Sequence, residues 1–250
     1  MAGRPTTSGA RAVAALAPLI AGTQCPFAVR AQLRGAPEFN PRLSLRDNVE
    51  QSVAELVRFT RDAATELLDG FVLAFPVRYV GADLPDLGRL TRTLVEVLMA
   101  HDPVRPSRFH RAEVTGARWR LNFAGVDYFA PVFSPVYGSR HSRSTHGVTD
   151  TVFVLMQPDS SFHARLHPRG DRIRENIRSR FEQAECGYPL YQLEAHKFVL
   201  PHRVQDEPLR WYDIEIHEKE RRTLPRHAQG TTRKSELHQV RRSRAHYSWC

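Results

Sequence analysis

The segment 134–201 contains, in order, SPVYGSRHSR (134–143), TVFVLMQP (151–158), FHARL (162–166), RIRENIRSRF (172–181) and EAHKFVLP (194–201). The second stretch is short and mostly apolar, which predicts a buried strand. The fourth places Ile173, Ile177 and Phe181 on one face, which predicts a helix over residues 172–184. A polar, basic loop is expected before the strand, and the last stretch predicts another strand at residues 196–200.

Upstream of this segment the chain alternates between helical and strand-like patterns. Ser44 and Asp47 have the spacing of a capping box at the start of a long helix, which Gly70 is expected to stop. FVLAFPV (71–77) predicts a buried strand, and a second helix is expected from Asp83 until Asp102-Pro103.

Two β-rich runs around a short glycine-containing connection, ARWRLNF (117–123) and YFAPVF (128–133), predict a hairpin. A further strand is expected at LRWYDIEI (209–216). Together these elements predict an α+β, or mixed α/β, fold: a single domain over residues 24–216, with a central, mostly antiparallel sheet packed by several helices. Residues 1–23 are expected to form an N-terminal arm.

The 250 residues, 41% of them hydrophobic, are enough for an ordinary core, and the net charge of +9 is concentrated at the carboxyl end. Residues 218–250 contain nine basic and three acidic side chains and little apolar spacing. A tail of this composition, over 217–250, is predicted to be disordered. It could contact nucleic acid non-specifically, whereas the body of the chain shows no strongly basic bias.

The three cysteines form no Cys-x-x-Cys pair and are odd in number, so a disulfide framework is not expected and a cytoplasmic location is. AVAALAPLIAG (12–22) has some of the composition of a signal peptide, but it is short, contains Pro18 and lacks a convincing cleavage site. No stretch approaches the roughly 20 apolar residues of a membrane span, so no membrane partner is expected.

Cys25 is the first candidate for chemistry. It is followed at once by Pro26 and by a predicted short helix rich in alanine and leucine. A cysteine just ahead of a helix feels the positive end of the helix dipole, which favours the thiolate, a nucleophile and metal ligand. The alternative is that Cys25 is a small buried hydrophobic residue.

Four histidines, His141, His146, His163 and His167, lie close together, but no His-Glu-x-x-His or paired acidic ligand accompanies them. His141 and His146 share a loop with Arg140 and Arg143, where an anion could be held by charge-assisted hydrogen bonds. The alternative is that these histidines are solvated loop residues.

Glu194 is a different kind of candidate. An acid at the start of a strand that enters the core could pair with an arginine, or could bind a cationic amine or guanidine substrate.

The order and spacing of these stretches, with Cys25-Pro26-Phe27 upstream, resemble the YqcI/YcgG family over most of residues 24–201. The resemblance implies a haem-dependent oxygenase that uses O2 to N-hydroxylate an amine or guanidino group of an amino-acid-like small molecule in secondary metabolism. A thiolate ligand to iron favours O–O cleavage, which makes Cys25 the first choice for the metal ligand, with His141 and His146 as alternatives. Arg140 and Arg143 would bind the haem propionates, and Glu194 the substrate cation.

Two other functions stay open. Some relatives have His-Pro where this chain has Ser134-Pro135. If that histidine is their iron ligand, this chain has either moved the role to another residue or lost haem, and in the second case the domain could bind a small molecule or a partner. The basic tail could instead make this a nucleic-acid-associated protein. The catalytic prediction depends on Cys25 and the basic segment near residue 140 bordering one cavity.

Overall fold

The computed structural model describes residues 7–161 and 170–216. The helices are α1 (Thr7–Ala15), α2 (Ala17–Gly22), α3 (Leu45–Ala63), α4 (Val77–Val80), α5 (Leu84–Ala100), α6 (Arg111–Val114) and α7 (Gly170–Gln183). Short 3-10 helices span Ala28–Arg30, Glu194–Lys197 and Trp211–Asp213. The strands are β1 (Leu33–Gly35), β2 (Gly70–Pro76), β3 (Leu121–Phe123), β4 (Val126–Phe129), β5 (Val132–Phe133) and β6 (Thr151–Pro158).

The strands form one open sheet, in which β6 lies at the centre. The order is β1-β2-β6-β4-β3, and β5 also pairs with β6. Only the β1–β2 pair is parallel within the described sheet; the other pairs are antiparallel. The predicted α+β fold with a mostly antiparallel sheet is therefore confirmed.

The strands β4 and β5 act as one interrupted strand along the same edge of β6. Phe129 pairs with Gln157, and Phe133 pairs with Phe153. Between them the carbonyl of Pro131 accepts a hydrogen bond from the backbone N–H of Leu155 (3.1 Å). Proline cannot donate to a strand ladder, which accounts for the interruption.

The side chains of β2 and β6 alternate between two helical layers. On one face Leu73 and Val154 join the main core with Phe59 of α3 and Leu94 of α5. On the other face Val72 and Phe153 pack with Leu16, Leu19 and Ala12 in a second cluster. The period-two alternation of a strand therefore places the N-terminal helices and the helices α3 and α5 on opposite sides of the sheet.

The two long helices begin where the sequence predicts. Ser44 and Asp47 form the reciprocal capping box at the start of α3, and the carboxylate of Asp83 accepts from Asp86 N–H at the start of α5. The helix α3 ends at Ala63, earlier than expected, because Leu67 adopts a positive φ of 55° and Leu68 N–H closes back onto the carbonyl of Ala63.

The hairpin β3–β4 is confirmed, and its connection is the pair Ala124-Gly125. Both residues have positive φ, 52° and 79°, as a two-residue turn between right-twisted strands requires.

The strands predicted at 196–200 and 209–216 are wrong, because both regions contain 3-10 helices instead. The indole N–H of Trp211 donates to the carbonyl of Ala195 (2.6 Å), and the Trp211 ring stacks on Phe198 at 5.9 Å. Burying these rings determines the backbone path here, and it outweighs the β preference of the individual residues.

Residues predicted to form an N-terminal arm include α1 and α2, which pack against the sheet. Within residues 7–161 and 170–216, no helix is both long and apolar enough to cross a bilayer. The predicted tail at 217–250 lies outside the described residues.

Candidate functional site

A cavity lies between the N-terminal helices and the sheet face that they cover. Its empty volume is about 610 Å³, part of which is open to solvent. The apolar wall is formed by Leu16, Leu19, Ile20, Phe27, Ala28, Ala31, Leu33, Phe133 and Leu155. The polar lining consists of Thr23, Cys25, Asp69, Gln157 and Ser161. A mostly apolar cavity with a few convergent polar groups is the usual form of a small-molecule site.

Cys25 contributes to this lining from a turn at the end of α2. Its backbone N–H donates to Thr23 Oγ1 (3.3 Å), and its carbonyl accepts from Ala28 N–H (3.2 Å). The helix expected after Pro26 is only a three-residue 3-10 turn, Ala28–Arg30. The helix dipole therefore gives little support to a thiolate at Cys25, because the dipole needs a longer run of aligned peptides. Cys25 forms no disulfide with the other described cysteine, Cys186.

His141 is buried, contrary to the expectation of a solvated loop residue. Its Nε2 donates to the carbonyl of Pro201 (3.0 Å), and its Nδ1 accepts from the backbone N–H of Arg143 (3.0 Å). The ring stacks on Tyr137 with centroids 4.2 Å apart and planes 6° apart. Burial lowers the pKa of His141 to about 4, so the ring is neutral at pH 7. Since both nitrogens are engaged, His141 fits a structural role better than iron ligation.

His146 lies against the end of α2. A Cβ added at Gly22 would overlap the Cγ and Nδ1 atoms of the His146 ring, so the ring packs directly on that glycine. Burial lowers the pKa of His146, which favours the neutral form. Gly22 precedes Cys25 by three residues, so the fold brings His146 and Cys25 to the same end of α2.

Arg143 is the most buried charged side chain in this region, with 1% of its surface exposed. Its Cζ atom lies 5.3 Å from the ring centroid of Phe133, 5.5 Å from that of Phe129 and 5.9 Å from that of Tyr188. Its Nη2 donates to the carbonyl of Lys197 over a long 3.4 Å. Within the described residues Nε and Nη1 have no hydrogen-bond partner.

Leaving these two N–H groups of Arg143 without an acceptor lowers the stability of the folded protein. A buried donor without a partner costs about 1–3 kcal/mol, and more when the group is charged. Cation–π contacts offset about 0.5–1 kcal/mol each at such distances. Phe133 contacts Arg143 and also lines the cavity, so the guanidinium lies behind this ring and is not itself part of the cavity lining.

Arg140 does not share this environment. Its side chain is largely exposed and pairs with Glu185 (2.8 Å) at the surface. The two arginines that the resemblance assigns to one cofactor therefore lie in different surroundings.

Glu194 is buried at the first residue of a 3-10 helix, and not at the start of a strand. Its Oε2 accepts from Lys197 Nζ (3.1 Å), so its charge already has a partner inside the protein. Glu194 is also not among the residues that line the cavity.

The polar end of the cavity was not predicted from the sequence. Asp69 accepts from Gln32 N–H through Oδ2 (2.8 Å) and from the Ser161 hydroxyl through Oδ1 (2.8 Å). Gln157 Oε1 is buried and has no hydrogen-bond partner among the described residues. A signal was present in the sequence: Gln157 is a polar residue directly after the apolar run 152–156, at a position in phase with Phe153 and Leu155.

His163 and His167 lie outside the described residues. Within 7–161 and 170–216, no three His, Cys, Asp or Glu side chains are grouped so that they could hold a metal ion. A haem iron takes only one or two ligands from the protein.

The sheet, its two helical layers and this cavity define an α+β domain with a mostly apolar cavity behind its N-terminal helices. The chain belongs to the YqcI/YcgG family, whose model matches residues 23–197. That range includes Cys25, the basic loop, β6 and Glu194. Searches of curated proteins and of solved structures found no significant match to this chain.

Proposed function

We propose that this protein is a haem-dependent oxygenase that N-hydroxylates an amine or guanidino group of an amino-acid-like substrate. Family membership supports the proposal, and the observation that carries it is the cavity between Cys25 and the wall that Phe133 shares with Arg143. The cysteine thiol and the buried guanidinium are 118 positions apart in the sequence, and Phe133 links them, because it lines the cavity with Cys25 and also contacts Arg143.

The apolar side chains and the thiol around the cavity fit the porphyrin plane and the iron of a haem group. A porphyrin needs an apolar slot, a ligand for iron and cations for its carboxylates. The cavity lining offers nine apolar side chains and a thiol, its one charged residue within the described part of the chain is Asp69, and the buried cation Arg143 lies behind Phe133. Nε and Nη1 of Arg143 have no partner among the described residues, and a propionate would provide an acceptor for them if the Phe133 ring moved aside. When bound, haem would supply the activation of O2 at iron.

Cys25 is the preferred iron ligand because its side chain borders the cavity. His146 is the second choice, since it lies at the same end of α2 and its neutral form is favoured. His141 is the weakest of the three, because ligation would break its hydrogen bond to Pro201 or to Arg143. Arg140 could bind a propionate only after leaving Glu185.

The remaining residues would exclude water and orient the substrate. Leu16, Leu19 and Ile20 close the cavity on the helical side, and Leu155 closes it on the sheet side. The reaction converts an N–H bond into N–OH with one oxygen atom of O2, and the second oxygen leaves as water. It therefore needs two electrons and two protons from an external reductant. A cytoplasmic location would keep the Cys25 thiol reduced.

Absorbance of the purified full-length chain, expressed with added haem, tests the proposal. We expect a Soret band that shifts or disappears in Cys25→Ala and is unchanged in Cys186→Ala. The second variant is the matched control, because Cys186 is a buried thiol that does not line the cavity. A band that changes only in His146→Ala would move the ligand role to that residue. Absence of bound porphyrin from the wild-type protein would refute the proposal.

A haem-free binding domain of the same fold is the second candidate. The observation in its favour is Ser134, which stands where some relatives have histidine and is fully buried. Its hydroxyl donates to the carbonyl of Ala82 (3.3 Å) and accepts from Val136 N–H (3.3 Å), so this position supports the loop. Tight binding of a basic metabolite without turnover would favour this candidate.

A further inference from the structure

The apolar wall of the cavity keeps surface that the protein itself does not cover. Six of the nine apolar residues in the lining are only partly buried: Ile20, Phe27, Ala28, Ala31, Leu33 and Leu155. Ile20, Leu33 and Leu155 also pack against the buried cluster between the N-terminal helices and the sheet, so the accessible wall continues the core. Covering such a surface removes apolar area from water, which is favourable. The wall therefore favours a ligand with a hydrocarbon group.

The lining offers no free counter-charge to a ligand within the described part of the chain. Asp69 is the only acidic or basic residue among the described residues that line the cavity. Both of its carboxylate oxygens already accept hydrogen bonds, Oδ2 from Gln32 N–H (2.8 Å) and Oδ1 from the Ser161 hydroxyl (2.8 Å). The Oε1 atom of Gln157 is inaccessible to solvent. A charged group that entered the cavity would therefore lose its hydration without compensation, which is costly.

We infer that the cavity binds an uncharged hydrocarbon chain, and that the substrate is an amine or amino acid with an apolar side chain. The identity of this ligand as the substrate rests on the proposed function. The charged nitrogen would remain on the side of the cavity that is open to solvent. A side chain that ends in a second charge, such as a guanidinium, would be excluded by the cost of burying that charge.

Binding of two series of amines to the purified full-length chain, measured by calorimetry, tests the inference. No haem is added, so a porphyrin cannot compete for the same wall. The first series runs from butylamine to octylamine, and the second consists of the diamines of the same chain lengths, which carry a further ammonium group at the far end. We expect the affinity of the monoamines to rise about fourfold for each added CH2 group until the cavity is filled. Octylamine should bind about tenfold or more tightly than its diamine.

Two variants that narrow the cavity locate the binding site. Ala31→Phe and Ala28→Phe each add a ring at a partly buried lining position, so the affinity should stop rising at a shorter chain than in the wild type. Octylamine should then bind about fourfold or more weakly, the equivalent of one CH2 group, whereas butylamine should bind as it does to the wild type. Ala54→Phe is the matched control, because Ala54 is exposed on α3 and does not line the cavity. Circular dichroism of each variant checks that the fold is retained, and if neither cavity variant folds, the two amine series decide.

Three results would overturn the inference: an affinity that does not rise with chain length, a diamine that binds as tightly as octylamine, or an unchanged amine series in folded Ala31→Phe and Ala28→Phe. The haem proposal fails separately, through the missing Soret band. Chain-length dependence in a protein that binds no porphyrin would leave the hydrocarbon site standing, and only the identity of its ligand as an oxygenase substrate would be lost. A Soret band together with a flat amine series would give the opposite outcome.

Discussion

Replacing Arg143 by methionine is expected to stabilise the haem-free protein. Arg143 is 1% exposed, and two of its N–H donors lack partners among the described residues. Methionine has a similar length and no polar hydrogen, so it removes the unsatisfied donors and fills most of the same space. A buried charge without a counter-charge is the case in which an apolar replacement is often favourable.

The expected change in the free energy of unfolding is the difference between the cost of the unsatisfied donors and the value of the contacts that Arg143 makes. Two unsatisfied donors on a charged group cost about 2–6 kcal/mol together. The contacts with Phe129, Phe133 and Tyr188 lie near the 6 Å limit of cation–π attraction and return about 1.5–3 kcal/mol. The long hydrogen bond to the carbonyl of Lys197 returns about 1 kcal/mol more. The midpoints of these ranges leave an expected net gain in the free energy of unfolding of about 1 kcal/mol.

Urea denaturation followed by circular dichroism, in a buffer without carboxylates or phosphate, measures this difference. Arg140→Met is the matched control, and its stability should equal that of the wild type within error, because the Arg140–Glu185 pair is exposed. A ligand that binds only the folded state adds to its stability, so with a bound anion the order of wild type and Arg143→Met should reverse. A haem-free Arg143→Met protein that is 2 kcal/mol or more less stable than the wild type would refute the reasoning, since it would mean that the guanidinium is already satisfied.

Three other predictions concern stability. Ser44→Ala removes the capping box of α3 and should lower the free energy of unfolding by about 1 kcal/mol in urea denaturation. Gly22→Ala should cost about 1–3 kcal/mol because its Cβ overlaps the His146 ring, and a double-mutant cycle should show this cost largely absent in the His146→Ala background; equal costs in both backgrounds would contradict the contact. Burial lowers the pKa of His141 from its usual 6.5 to about 4 in the folded protein, so folding favours the neutral ring. The contribution of neutral His141 to the free energy of unfolding is therefore fully present above about pH 6.5, and the free energy of unfolding falls by about 3 kcal/mol as the pH decreases to 4. His141→Gln should flatten this dependence between pH 4 and 6.5, and an unchanged slope would exclude His141 as its source.

The regular elements of this fold were predictable because local rules determine them. Capping at Ser44 and Asp83, the apolar stretches at β2 and β6, and the turn at Ala124-Gly125 each involve neighbours in the sequence. Periodicity and capping identify such elements without knowledge of distant contacts.

The candidate site was predictable only in part. Cys25 and the basic loop were identified by residue type and order, but only Cys25 lines the cavity, whereas the loop reaches it no more closely than through the contact of Arg143 with Phe133. The burial of His141 was not predictable, since it depends on Tyr137 and on a carbonyl 60 residues away, at Pro201. The same holds for the pairing of Glu194, because a helical turn and not a strand brings Lys197 within its reach.

The family match begins at residue 23, after the helix α2 that closes one side of the cavity. A chain trimmed to the matched range would keep Cys25, Arg143 and Gln157 and would lose Leu16, Leu19 and Ile20. The cavity would lose its cover and become an open groove, and Val72 and Phe153 would be exposed to solvent on the sheet surface. If such a trimmed protein did not retain a ligand, the cause would be the loss of the covering helices, and the result would say nothing about the residues beneath them.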